Sequence, residues 1–388
     1  MKQKLTFISR HYPPNPNING ESIWDMVKYI ENNRQIESNI ICIDRTSGGG
    51  GQDREPVGNV IKIKTPYQGK NAILRFFTLL YDGYVLTRKA RKYKNTIIIT
   101  TTSPPLLPFW TSLLFRKRNI KWGLWTFDLF PEAFAVTGKI KEQNFFYRWV
   151  SKITYKHAPD FLITLGPQQA KHLERLYKKD IPSIILPCGV FFYQDKSPEI
   201  PEWWSDDKIF LGYCGNIGDA HNPDFIKATI DAIDPEKHRL ILALYGNKAP
   251  DLKEYAKGKP GVILVDRVPR NQLHYIDIHL VSLIKSWTHI AVPSKAVSAI
   301  ASNSCILFCG SQDSDNWYMF QEAGWFVDEN DQLDEQLKNF IRDLKREDVL
   351  RRKEVTPQLY DQLKKYVLEA YKDVAELSEH HKTSNFSI

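Results

Sequence analysis

The chain has 388 residues, 42% hydrophobic and 25% charged, with a net charge of +8; this excludes wholesale disorder and leaves room for two domains of ordinary size. The charge is unevenly shared, with 29 Lys+Arg against 14 Asp+Glu in residues 1–190 and 24 against 31 in residues 191–388. The basic half is therefore expected to face something anionic, whether phosphate, nucleic acid or a membrane leaflet, with a solvated basic surface as the plainer alternative.

In chain order, the opening "MKQKLTFISRHYPP" has too short an apolar stretch for a signal peptide. Strands are predicted at 4–9, 39–43, 60–63, 96–100, 121–127, 161–165 and 183–187, with helical patterns between most of them. Such alternation reads as a parallel sheet covered on both faces. Residues 95–115 are uncharged for 21 positions, but "TTTSPP" in their middle favours strand, turn and helix over a membrane span. "SGGGG" (47–51) has no Lys-Ser/Thr after it, so it is no Walker loop and reads as a flexible surface loop.

A linker is predicted in "YQDKSPEIPEWWSDD", and strands then restart at 208–215, 239–246, 262–265, 278–283 and 305–309. The restart predicts two doubly wound α/β domains, residues 1–192 and 193–388, which bind ligands at the carboxyl ends of their strands, across the cleft between them. Residues 331–378 read as charged amphipathic helices and those after about 379 as a loose tail. The five cysteines are odd in number and lack CxxC spacing, as expected for buried reduced thiols in a cytosolic protein.

Four stretches offer chemistry. The loop ending at Gly20 and Glu21 leads straight into a helix, where amides can hold phosphate or simply connect two elements. "YCGNIGDAHNPD" (213–224) puts Gly215 and Gly218 at the equivalent turn of the second half, but it lacks the full GxGxxG pattern, which disfavours a nicotinamide enzyme. In "THIAVPSKAVSAIASN" (288–303), Pro293 and Ser294 suit a helix start. Lys295 in that first turn is not explained by the helix dipole, which prefers anions there; a phosphate ligand would explain it, with a solvated lysine as the plainer alternative. In "WTFDLFPEAFAVTG", Asp128 and Glu132 interrupt an apolar run where charge is costly without a task. Their plainer roles are a charge at a helix N-terminus and a loop-bracing hydrogen bond. His11, His157, His221 and His289 show no metal spacing and read as loop or packing residues.

Taken jointly, the Gly20 loop, "TFDLFPEAFAVTG", "YCGNIGDAHNPDFIKATIDAI", "LYGNKAPDLKEYAKGKPGVILVDRVPRNQL" and "VPSKAVSAIASNSCILF" resemble, in order and spacing, the family 4 glycosyltransferases. The resemblance is strongest to the bacterial surface-polysaccharide branch with D-L-W-P-E and V-P-S-K motifs. It implies an α/β fold of GT-B type, in which two Rossmann-like domains face across a cleft and C-terminal helices pack back. It also implies a metal-independent, retaining hexosyl transfer, with no cofactor and no nucleic acid, from a UDP- or GDP-type sugar nucleotide to a glycan hydroxyl.

Carried onto this sequence, the resemblance places Gly20, Gly215, Asn216, Ser294 and Lys295 near the diphosphate. Gly246, Val268 and Ser298 would lie near the base and ribose, and Thr288 near the sugar. Lys295 would neutralise the leaving phosphate. Asp128 would accept the acceptor's proton or steady charge on the sugar ring, and Glu132 would shape that loop or bind acceptor hydroxyls. Many relatives carry two glutamates at the approximate positions of Thr288 and Ser298, so ribose and sugar recognition depart from the family pattern here.

Cations interleaved with aromatics at 86–94, 116–121 and 145–157 read either as ordinary amphipathic packing helices or, if the acceptor is lipid-linked, as a surface by which the first domain rests on an anionic cytoplasmic leaflet. Two other readings remain open: a sugar-nucleotide 2-epimerase of the same fold, and a catalytically silent homologue that binds membrane or a partner.

Overall fold

The computed structural model describes residues 4–15, 17–45, 53–69, 71–116, 120–190, 199–330 and 332–383. The predicted loop at 47–51 lies outside them. The chain forms two compact units, Met1–Cys188 with Tyr366–Ile388, and Gly189–Lys365.

Unit 1 holds strands β1 (Lys4–Ile8), β2 (Glu37–Asp44), β3 (Asn59–Lys64), β4 (Ile97–Thr101), β5 (Trp122–Trp125), β6 (Phe161–Thr164) and β7 (Ser183–Ile185). Its helices are α1 (Ile18–Arg34), α2 (Ala72–Ala90), α3 (Leu107–Phe115), α4 (Glu132–Val136), α5 (Phe145–Thr154) and α6 (Pro167–Tyr177). The strands pair in parallel in the order β3-β2-β1-β4-β5-β6-β7. Apart from Lys4, every residue of the central strands β1, β4, β5 and β6 is buried, as in strands covered on both faces, and the only polar residues among the buried ones are threonines. Strand β3 lies at the edge and carries Lys62 and Lys64, charges that discourage pairing with another chain.

Unit 2 holds β8 (Ile209–Asn216), β9 (His238–Tyr245), β10 (Val262–Leu264), β11 (Ile278–Ser282), β12 (Cys305–Gly310) and β13 (Gly324–Asp328), in the parallel order β10-β9-β8-β11-β12-β13. Its helices are α7 (Pro223–Ala232), α8 (Ala249–Ala256), α9 (Ser294–Ala301), α10 (Asp315–Phe320), α11 (Leu333–Asp343) and α12 (Arg346–Lys353). Leu337 and Ile341 of α11 and Val349 of α12 join Leu211, Phe225, Leu242 and Leu307 in its core. Caps follow the local sequence: the Asn71, Asn144 and Asn222 side chains accept from the first helical amides of α2, α5 and α7.

Three expectations are corrected. The division falls at Cys188–Gly189 rather than after residue 192. Trp203 and Trp204, read as linker, pack on Phe210 and belong to unit 2, because two indoles find more apolar surface there than in water. The last helix, α13 (Thr356–Thr383), extends past the predicted tail boundary, and from Tyr366 onward it belongs to unit 1, not to the second domain. There Tyr371 is buried with its ring 5.3 Å from that of Tyr29, and Glu376 pairs with Arg34 at 3.8 Å.

Candidate functional site

Both sheets reverse their strand order once, between β1 and β4 in unit 1 and between β8 and β11 in unit 2. The carboxyl ends of strands flanking such a reversal are where open α/β sheets bind ligands, because the adjoining loops diverge and leave a crevice.

In unit 2, the carboxyl end of β8 takes a backbone conformation that only glycine adopts easily: Gly215, its last residue but one, has φ +139, and a Cβ there would meet Lys295 Cε at 3.0 Å. Lys295 comes from the first turn of α9, across the reversal, and its Nζ lies 5.0 Å from the centre of the Tyr213 ring. That ammonium also donates to His221 Nε2 at 3.2 Å. Burial lowers Lys295 to about 8. The arrangement presents a partly desolvated cation beside exposed backbone, as an anion site requires.

Asn216 is exposed, and its backbone oxygen accepts from Tyr213 Oη at 2.8 Å. A Cβ at Gly246, where φ is +107, would run into Asn216 Oδ1, so glycine is needed for that close approach. Gly215, Asn216, Gly246 and Lys295 are thus brought together. Ser294 and Ser298 lie one turn apart on α9, and both border Gly189, whose added Cβ would meet Ser294 Cβ at 3.2 Å and Ser298 Oγ at 3.9 Å. Val268 sits apart: its side chain is buried with Phe210, Ile241 and Leu273, which leaves only its backbone for a ligand. Thr288 is buried, and its hydroxyl donates to Lys285 O at 2.7 Å within its own turn.

In unit 1, Gly20 lies in the first turn of α1, where a Cβ would sit 3.1 Å from the backbone of His11 and Tyr12. Its lack of a side chain lets the helix start against the loop after β1. Asp128 follows β5 in a braced loop: Gln169 Nε2 donates to Phe127 O at 3.0 Å, and Phe127 N donates to Thr102 Oγ1 at 2.9 Å. Its own side chain is exposed, with no hydrogen-bond or ion-pair partner among the described residues. Surrounding protein displaces enough water to push its carboxyl up to about 6.

Glu132 turns the other way. It is buried, and its Oε2 accepts from the half-buried Tyr155 Oη at 2.7 Å. Burial pushes its carboxyl up to about 7, against the opposing effect of that hydrogen bond. The two carboxylates that look like a pair in sequence are therefore separated, Asp128 to solvent and Glu132 to the interior of unit 1.

Among the described residues no cluster of three or more His, Cys, Asp or Glu could hold a metal ion. All five cysteines are unbridged. The residue whose role sequence reasoning missed is His221, read there as a loop or packing residue: a single histidine in a glycine-containing loop gives no periodicity or spacing that would tie it to a lysine 74 positions away.

No family model matches the sequence. The Pseudomonas aeruginosa protein WbjE, described as a probable glycosyltransferase, is 24% identical over 297 residues, spanning 69% of this chain and 72% of its own. Among solved structures, sucrose-phosphate synthase from Thermosynechococcus elongatus is similar over 99% of this chain and 100% of its own, with a TM-score of 0.69 and 14% identity. WaaG, a glycosyltransferase involved in lipopolysaccharide biosynthesis, is similar over 96% of this chain and 99% of its own, with a TM-score of 0.62 and 12% identity. An Escherichia coli structure bound with UDP-2-fluoro glucose has a TM-score of 0.66 over 97% of this chain and 99% of its own, at 11% identity. At such identities the likeness concerns the fold, which is of GT-B type: two Rossmann-like units of parallel sheet, with C-terminal helices.

Proposed function

We propose that this protein is a retaining glycosyltransferase that moves a hexosyl group from a UDP- or GDP-type sugar nucleotide to a hydroxyl of a growing, lipid-linked surface glycan. The observation that carries the reading is the cradle at the reversal of unit 2, where the Gly215 turn and the Lys295 ammonium meet. The description of WbjE and the UDP-sugar in one structural neighbour support it. Ser294 and Asn216 border the diphosphate in this reading, Gly246, Ser298 and the Val268 backbone border base and ribose, and Thr288 lies near the sugar.

In the proposed reaction the bond from C1 of the sugar to the β-phosphate oxygen breaks, with its electron pair leaving on that oxygen. Lys295 stabilises the charge that develops there. The acceptor oxygen bonds to C1 on the same face and gives its proton to Asp128, whose carboxyl near 6 is ionised and able to accept it at neutral pH. Glu132, held by Tyr155, braces the loop instead of meeting acceptor. No step needs a metal or a cofactor.

A lipid-linked acceptor at a cytoplasmic leaflet is supported by apolar side chains that unit 1 leaves in water. Ile73 and Phe77 of α2 are 69% and 62% exposed, and Phe145 and Trp149 of α5 are 83% and 45% exposed. Arg75, Arg88 and Lys89 lie on the first helix and Arg148 and Lys152 on the second. Aromatic bodies beside cations match an anionic lipid interface. No described helix is long and apolar enough to cross a membrane.

The deciding experiment incubates purified protein with common sugar nucleotides and a membrane extract as acceptor source. Release of nucleoside diphosphate that depends on the extract is expected. Mass spectrometry separates the other outcomes: an epimerase leaves the nucleotide sugar's mass unchanged and needs no extract, and a silent homologue consumes nothing.

A further inference from the structure

The first turn of α9 explains where Lys295 begins, not what fixes its ammonium. His221, from the loop between β8 and α7, reaches across the reversal and is buried at 8% exposure. Its Nδ1 lies 2.7 Å from the carbonyl oxygen of Ser282, the last residue of β11. A carbonyl can only accept, so Nδ1 carries the ring proton; in the neutral ring, Nε2 then has only a lone pair to offer. Lys295 has only donors, and its Nζ is 3.2 Å from that Nε2. A directed chain results, from ammonium to imidazole to carbonyl, that ties α9, the loop after β8 and the end of β11.

We infer that His221 is a positioning residue: as the neutral Nδ1–H tautomer it takes a hydrogen bond from Lys295 and holds that ammonium over the Gly215 turn, where the donor's leaving phosphate is proposed to lie. The identity of the ligand rests on the donor-site reading above; the histidine–lysine pairing does not. One of the three ammonium protons is committed to His221, which leaves two for an anion.

The surroundings keep the ring neutral. Lys295 faces it on one side, and Lys248, at the start of α8, donates to the His221 carbonyl at 2.8 Å and lies beside Asp219. The Tyr213 ring stands edge-on at 6.1 Å between centroids. Burial first, then Lys295 and Lys248, push the imidazole down to about 3, and the Ser282 carbonyl opposes them. Burial pushes the thiol of neighbouring Cys214 up to about 12, so it is uncharged wherever Lys295 titrates. Between about pH 5 and 9 the imidazole and the Cys214 thiol therefore carry no charge, and an imidazolium, which would set two cations in contact, is avoided.

Two arms test this on the full chain. In ligand-free protein, NMR of labelled histidine and of lysine side-chain carbons, with the Lys295 signal assigned by its loss in Lys295→Gln, reads the tautomer and the lysine titration. A neutral Nδ1–H ring at pH 5 is expected. In His221→Leu the lysine, deprived of its acceptor, should titrate at lower pH than in wild type, while His221→Gln, which can still accept, should stay near the wild-type value. The second arm measures UDP and GDP affinity against pH. Affinity should fall as pH rises through about 8, without an inflection near 6.5, and His221→Leu should bind roughly tenfold more weakly, as loss of one hydrogen bond to a charged group predicts. An imidazolium forming near pH 6.5, or a lysine titration unmoved in His221→Leu, would overturn the inference. Failure of wild type to bind either nucleotide would instead count against the donor reading, and the ligand-free arm would still decide the pairing.

Discussion

Asp128 and Glu132 show how four positions of sequence separate two chemical roles. Asp128 is exposed and has no hydrogen-bond or ion-pair partner among the described residues, so replacing its carboxylate removes no contact seen there. Asp128→Asn is therefore expected to melt within a degree or so of wild type while transfer falls by roughly 100-fold or more, the loss typical of a removed general base. Because its carboxyl sits near 6, only the ionised form accepts a proton, and kcat/KM should decline as pH falls below about 6. That acid limb should vanish in the variant. Near-normal turnover in Asp128→Asn would return the residue to a structural role. Glu132 carries the opposite kind of pH dependence. Its folded value, about 7, lies above the ordinary 4.5, so its contribution to stability is fully present below about 4.5 and is lost as pH rises through 7. The displacement corresponds to roughly 3 kcal/mol against the ionised form. Glu132→Gln, which keeps an acceptor for Tyr155, should match wild type in urea at pH 5 and exceed it by roughly 1–3 kcal/mol at pH 8.5. Equal stability at both pH values would show the buried carboxylate to be solvated after all.

At the scale of elements, α2 and α5 are two helices whose outward faces break the usual rule of polar surfaces. Phe145 and Trp149 are spaced four apart and lie on one side of α5, with Arg148 and Lys152 among them. Wild type is expected to sediment with vesicles containing anionic lipid, less so as salt is raised, and poorly with neutral vesicles. The double change Phe145→Ser with Trp149→Ser should weaken that binding about tenfold or more, since two aromatic side chains no longer leave water. Unchanged sedimentation would assign the aromatics another role. The nine inner strands were legible in sequence because parallel strands buried on both faces read as apolar runs between turn residues, and the edge strands β3, β7 and β10 because each is a short run rich in Val and Ile. The thirteenth, β13, was not: "GWFVD" is a short edge strand, partly exposed and bounded by Gly324 and Asp328, with no alternation to mark it. The helix start at Pro293–Ser294 and the glycine turn at Gly215 were legible for a local reason, that proline and glycine restrict or free the backbone where they stand. The hydrogen bond between His221 and Lys295 was not, because it depends on β8 and β11 lying side by side, which no local pattern encodes.

For the whole molecule, the course of α13 matters most. An amphipathic pattern says that a helix has a face to bury, not which core receives it, so the sequence assigned residues 366–388 to the second domain while the structure returns them to the first. Val367, Ala370, Tyr371, Val374 and Ala375 are buried there. Burying Val367, Tyr371 and Val374 contributes roughly 1.5–3 kcal/mol each before the entropy of ordering the helix is subtracted. Their sum is comparable with the whole stability of an ordinary domain. Unit 1 thus lacks part of its core until residues 367–375 have been made, while unit 2 draws its core from Gly189–Lys365 alone. A chain ending at Lys365 should therefore lose unit 1 selectively. Hydrogen exchange should rise throughout β1, β2 and α1, where Tyr29 and Arg34 lose Tyr371 and Glu376, while protection of β8, β9 and β11 persists. The truncated chain should also retain nucleotide affinity, since Gly215, His221 and Lys295 lie in unit 2, yet transfer nothing. If exchange rose equally in both units, the segment would be a support of the whole fold and not a missing piece of the first core.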